Sequence, residues 1–221
     1  PVLRHPEKIS DGGGLSFSPG ALFSPPGRLD PADPAVAVLV AQIQRSASKA
    51  ASRGTGERGA VPAPPSLDGW RLLARGDDEV LFGRGRPPQL VTVAVRRDGR
   101  RDMWTCVAVS NARPLRAARD GLRASGWRLD PTCEVDPGQA VIRVLVREQT
   151  WAGGTRADGR LLPPDLYVGA DELVLTMYVA PREGFQMRTP NPETPARIVL
   201  PDAVGSRPLV DGAIYDAYDA V

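Results

Sequence analysis

Two stretches decide the fold class: Ala140-Val141-Ile142-Arg143-Val144-Leu145-Val146-Arg147-Glu148 and Glu172-Leu173-Val174-Leu175-Thr176-Met177-Tyr178-Val179-Ala180. Apolar residues recur in both at every second position, the period of a β-strand, whose successive side chains point to opposite faces. In the first, Ile142, Val144 and Val146 share a face, with Arg143 and Arg147 on the other. In the second, Leu173, Leu175, Met177 and Val179 stand opposite Val174, Thr176 and Tyr178. Both faces of these strands are largely apolar, which predicts central positions in a sheet. Arg197 to Leu200 reads as a shorter edge strand.

The same period runs upstream. Trp70 to Arg75 and Glu79 to Phe82 read as a strand pair around the turn sequence Gly76-Asp77-Asp78. Leu90 to Arg96 alternates, with Val91, Val93 and Val95 on one face and Thr92 and Ala94 on the other. A turn at Asp98-Gly99 then leads into Met103 to Val109. This alternation predicts a half-buried antiparallel sheet with one dry face and one wet face. Arg113 to Ser125 reads as a helix, with Leu115, Ala118 and Leu122 on one side and Arg116, Arg119 and Arg123 on the other, ended by Gly126.

Residues 1–66 differ in kind. Gly12-Gly13-Gly14, Ser18-Pro19-Gly20, Ser24-Pro25-Pro26-Gly27 and Val61-Pro62-Ala63-Pro64-Pro65 are breaker clusters. One helix is expected among them, near 33–51. Asp33 can cap it, Pro34 suits its first position, and Val36, Leu39, Val40 and Ile43 form its apolar stripe. The expected fold is mainly β, an antiparallel sandwich or twisted sheet with one or two short helices. An irregular Pro/Gly-rich N-terminal arm (1–66) precedes a β-rich domain (69–216) and a tail (217–221).

The composition excludes several function classes. The 221 residues include 28 basic and 26 acidic ones, for a net charge of +2. All the basic residues but Lys8 and Lys49 are Arg, and they are spread along the chain with no patch, so nucleic-acid binding is not expected. No run approaches the roughly 20 apolar residues that span a bilayer, so no transmembrane segment is expected. The first ten residues lack the apolar core of a leader. A mature ectodomain whose leader has been removed and a cytosolic chain trimmed only of its initiator Met both fit.

No constellation of residues points to catalysis. His5 is the single histidine and sits in the irregular N-terminus, where it reads as a solvated residue; a catalytic triad or a multi-histidine zinc site is not expected. Gly83-Arg84-Gly85-Arg86 and Gly12-Gly13-Gly14 do not fit phosphate-loop or dinucleotide spacing. Neither a cofactor nor a metal is expected. Asp202, Asp211, Asp216 and Asp219 match no calcium loop and read as an acidic tail. Glu148 with Asp171 or Glu172 is the one carboxylate pair that a hydrolase reading would invoke. Cys106 and Cys133 show no redox or metal spacing and leave open a structural disulfide or two free thiols.

The C-terminal half resembles an actinobacterial group of secreted, lipoprotein-like proteins with no assigned function. The resemblance is carried by Trp127-Arg128-Leu129-Asp130-Pro131, Val144-Leu145-Val146-Arg147-Glu148, Ala152-Gly153-Gly154, Gly159-Arg160, Thr189-Pro190-Asn191-Pro192 and the closing Gly205-Ser206-Arg207-Pro208-Leu209-Val210-Asp211-Gly212. It implies an extracellular or cell-envelope location, with the cytoplasm the alternative, and it favours a Cys106–Cys133 disulfide. Relatives of that group carry two cysteines near Trp151 and Met187. Their joint replacement here implies that Trp151 packs on Met187 and the 185–190 loop. The function these features imply is a non-enzymatic binding module whose partner is another protein or an envelope component. The alternatives are a structural subunit of a virion or injection machine, which would grip its neighbours with the N-terminal arm, and a carboxylate-dependent hydrolase.

Overall fold

The computed structural model describes residues 4–53, 65–149, 152–184 and 189–215. The architecture is mainly β with a single α-helix among the described residues. The chain forms two compact units, one of Ser10–Pro114 and one that joins Pro1–Ile9 to Leu115–Val221. The first is therefore an insertion, in sequence, within the second, here called the split unit. The division expected between an arm at 1–66 and a domain at 69–216 is replaced by this one. Residues 10–53 are part of the inserted unit and supply two layers of its core.

The split unit begins with β1 (Lys8–Ser10). The inserted unit follows, with a 3-10 turn at Pro19–Leu22, α1 (Pro34–Arg53), β2 (Trp70–Arg75), β3 (Glu79–Arg84), β4 (Val91–Asp98) and β5 (Met103–Asn111). The four strands form one antiparallel sheet in sequence order, with helix α1 against one face. Asp33 caps that helix, its Oδ1 accepting from the Ala35 N–H at 2.8 Å, and Pro34 opens it as the sequence indicates. Ala35, Val36 and Leu39 meet Trp70, Val80, Phe82, Val93 and Val95, with Val40 and Ile43 packed alongside. This local burial, rather than a partner, accounts for the apolar stripe.

The expectation of one wet face does not hold for β4, where Thr92, Val93, Ala94 and Val95 are all buried. The segment after β1 covers the second face. Asp11 accepts a hydrogen bond from the Thr92 hydroxyl, and a Cβ on Gly14 would stand only 2.9 Å from the Ala94 Cβ. The glycine run read as a breaker is what lets the backbone lie flat on the sheet.

The split unit resumes with β6 (Arg116–Arg119), β7 (Leu122–Arg123), β8 (Gly126–Leu129), β9 (Val141–Arg147), β10 (Asp165–Val168), β11 (Leu173–Thr176), β12 (Thr194–Val199) and β13 (Leu209–Asp211). The helix expected over Arg113–Ser125 is absent and β6 and β7 take its place. The reason is Asp120-Gly121, both at positive φ (51° and 76°), which closes a two-residue hairpin with Arg119 opposite Leu122.

Three small sheets result, ordered β1-β6-β7, β12-β9-β8 and β10-β11-β13. Strands β9 and β11 are central, as their two-sided apolar pattern indicates, and β12 is an edge. All pairings given for these sheets are antiparallel except β11 with β13, which is parallel. Ile142, Val144 and Val146 of β9 and Ile198 of β12 pack on Leu173, Leu175 and Met177, the arrangement of a sandwich core. The Trp127 indole N–H donates to the Leu175 carbonyl at 2.8 Å and ties the two layers together.

Asn191 of the Thr189-Pro190-Asn191-Pro192 motif and Thr194 after it serve the fold. Asn191 Oδ1 accepts from the Ala152 N–H at 3.0 Å, and buried Thr194 Oγ1 accepts from the Ala157 N–H at 2.7 Å. Both bonds pin the loop after β9 onto the start of β12. The proposed contact between Trp151 and Met187 lies outside the described residues.

Candidate functional site

Strand alternation creates a cavity in the split unit. Leu173, Leu175 and Met177 face the sandwich core, so Val174, Thr176 and Tyr178 face the other way and form a floor. Ala117, Ala118 and Arg119 of β6, Asp165 and Tyr167 of β10, and the segment Arg4–Glu7 ahead of β1 complete the walls, enclosing about 290 Å3. Gly212, the last residue of the closing motif, is also part of the lining. A Cβ there would fall 2.3 Å from Thr176 Oγ1 and 2.8 Å from a Val174 methyl, so only glycine fits.

The floor is electrostatically braced. The Arg119 guanidinium lies over the Tyr178 ring, 4.3 Å from its centroid. Its Nη1 donates to Asp165 Oδ1 at 2.5 Å and its Nη2 to the Pro163 carbonyl at 2.9 Å. Burial pushes the Tyr178 phenol well above its ordinary range, and the charge of Asp165 and a hydrogen bond to that carboxylate raise it further. Tyr178 is therefore held as a protonated donor. Arg4 Nε donates to Glu172 Oε1 at 2.6 Å and fastens the N-terminal wall. His5, read from sequence as a solvated terminal residue, is half-buried in that wall.

The carboxylates considered for hydrolysis are engaged separately. Glu148, at the end of β9, is gripped by Arg160, with Nη1 to Oε1 and Nη2 to Oε2 both 2.7 Å. That contact raises the Arg160 pKa. Glu172 is engaged by Arg4, and Asp171 is exposed. Of the C-terminal acids, Asp202 pairs with Arg207 at 2.8 Å. Asp211 is half-buried and accepts from the backbone N–H groups of Ala213 (2.9 Å) and Trp127 (3.4 Å). Burial pushes its pKa up against the pull of those bonds and of Arg116. Asp216 and Asp219 lie outside the described residues. Among the described residues no group of three His, Cys, Asp or Glu side chains is placed to hold a metal, and no helix is long and apolar enough to cross a membrane.

The expected Cys106–Cys133 disulfide is corrected: both cysteines are free. They belong to different units. Cys106 is in β5 and packs beside the core under α1, where burial pushes its thiol pKa up. Cys133 follows the Asp130 turn, and its Sγ accepts from Arg143 Nη1 at 3.6 Å.

Sequence reasoning found the floor, because Val174, Thr176 and Tyr178 were assigned to one face. It missed the walls. Arg119 was placed on a helix, no element was assigned at Asp165 and Tyr167, and Arg4 and His5 are brought in from more than a hundred positions away. The Asp120-Gly121 dipeptide was the one local signal that could have recovered β6. No family model, no curated protein and no solved structure matches the chain.

Proposed function

We propose that this chain is a non-enzymatic binding module of the cell envelope or extracellular space, with the cavity of the split unit as its ligand seat. One observation carries the reading: Arg119, Asp165 and Tyr178 lock one another on the cavity floor. General acid–base catalysis by these floor groups would need one of them free to give or take a proton near neutral pH. Here the carboxylate is held by Arg119 and the phenol is held protonated, which suits a rigid recognition surface. The envelope location rests on the resemblance of the C-terminal half, and the free thiols give it no support. The assembly-subunit alternative called for an extended arm, whereas the described residues 10–53 pack within the inserted unit.

The test is a thermal-shift screen of small metabolites, sugars and short peptides on the full chain. It is repeated on Ala118→Phe, which fills the cavity from β6. Ligands that raise the Tm of the parent chain and leave the variant unmoved support the seat. Hits that shift both equally place binding elsewhere and overturn it.

A further inference from the structure

The Thr176 side chain is nine-tenths buried, lines the cavity, and has no hydrogen-bond partner among the described residues. That hydroxyl is open to the cavity rather than sealed from it, so water or a ligand there completes it. Tyr167 lines the cavity as well, and its hydroxyl has no hydrogen-bond partner among the described residues. Gly169 lets its ring settle, because a Cβ there would sit 2.9 Å from Tyr167 Cε1.

Two of the charge pairs around these hydroxyls are already closed. Arg119 is paired with Asp165, and Arg4 with Glu172. On the floor, an ionic ligand would have to displace Asp165 from Arg119 and leave one of them unpaired. Glu7, on the exposed rim, is the one ionised wall residue that has no ion-pair partner among the described residues. The cavity thus offers hydroxyls and a carboxylate oxygen beside an aromatic ring, in nearly balanced charge. Hydroxyls both donate and accept, so their best complement is another hydroxyl.

We infer that the cavity of the split unit takes a neutral, hydroxyl-rich ligand, chemically a saccharide unit, anchored by Thr176 and stacked beside Tyr167. This rests on the cavity being the binding seat. Its volume lies at the lower limit for small-ligand pockets and suits a sugar ring better than an extended polymer.

The experiment uses three probes that share one ring: methyl glucoside (neutral), glucuronate (anionic) and glucosamine (cationic). Each is titrated into the 15N-labelled full chain while the Ala118, Thr176 and Gly212 amides are followed. The neutral probe should shift these amides saturably and bind about tenfold tighter than either charged probe. Thr176→Val should weaken it about fivefold, the worth of one hydrogen bond, while distant amides keep their positions. Tyr167→Leu should weaken it as well, which keeps the test alive if one variant misfolds. Equal or tighter binding of a charged probe at these amides overturns the neutral class and leaves the seat standing. No response to any of the three overturns the saccharide inference. Shifts that persist in Ala118→Phe overturn the seat and the inference together.

Discussion

Glu148 and Arg160 form the most buried ion pair of the split unit, with side-chain exposures of 3% and 18%. Removing one member of such a pair takes the main counter-charge from a buried partner. Arg160→Met should therefore lower the unfolding free energy by about 3–5 kcal/mol, and adding Glu148→Leu should restore much of it. Urea unfolding of both variants checks this. Asp211 offers a pH test. Its folded pKa is raised by burial, so the fold favours its protonated form. That contribution is fully present below the ordinary carboxylate range and is lost as pH rises through the raised value. Glu193 works the other way: Arg128 holds its pKa down, and its contribution is lost as pH falls. Asp211→Asn should abolish the loss of stability that Asp211 causes as pH rises and leave the loss that Glu193 causes as pH falls intact. Unfolding at a series of pH values, differenced against the parent, reads this directly.

At the scale of elements, the hairpin of β6 and β7 is the sharpest divergence from the sequence pattern. Leu115, Ala118 and Leu122 have helical spacing, but Gly121 costs an interior helix about 1 kcal/mol, and Asp-Gly is a preferred hairpin turn. The two structures demand opposite responses. In the hairpin, Gly121 sits at φ 76°, where a Cβ is strained, so Gly121→Ala should destabilise by about 1–2 kcal/mol. In a helix the same change would stabilise. A denaturant midpoint that rises rather than falls would refute the hairpin. Strands β2, β3, β4, β5, β9 and β11 were legible because each carries its own two-residue period. Strands β10 and β13 were not, being short and flanked by Pro or Gly, and each forms by pairing with β11.

For the whole molecule, the separation into an inserted and a split unit puts the two cysteines in different units, and both are free. Alkylation of the denatured, unreduced chain should label both thiols, since Cys106 and Cys133 are free. A mass two daltons low with neither labelled would restore the disulfide and, with it, a chemical argument for export. The same separation explains why the N-terminal region was misread as an arm. Its Gly and Pro clusters do break regular structure, yet Leu22 and Phe17 are buried in the inserted unit, and Ile9 in β1 is fully buried.

The sequence by itself determined the strand-rich class, the two central strands, the capped helix and its apolar stripe. All of these rest on periodicities of a few residues. Only the tertiary structure decided the site. The cavity joins Arg4 and His5 to Arg119, Asp165, Tyr167 and Thr176, residues from four separate segments. Pairing across such distances is set by which sheet edges and faces bury the most apolar surface with their backbone groups satisfied. No local pattern encodes that choice, so the floor of the cavity could be read from one strand and its walls could not.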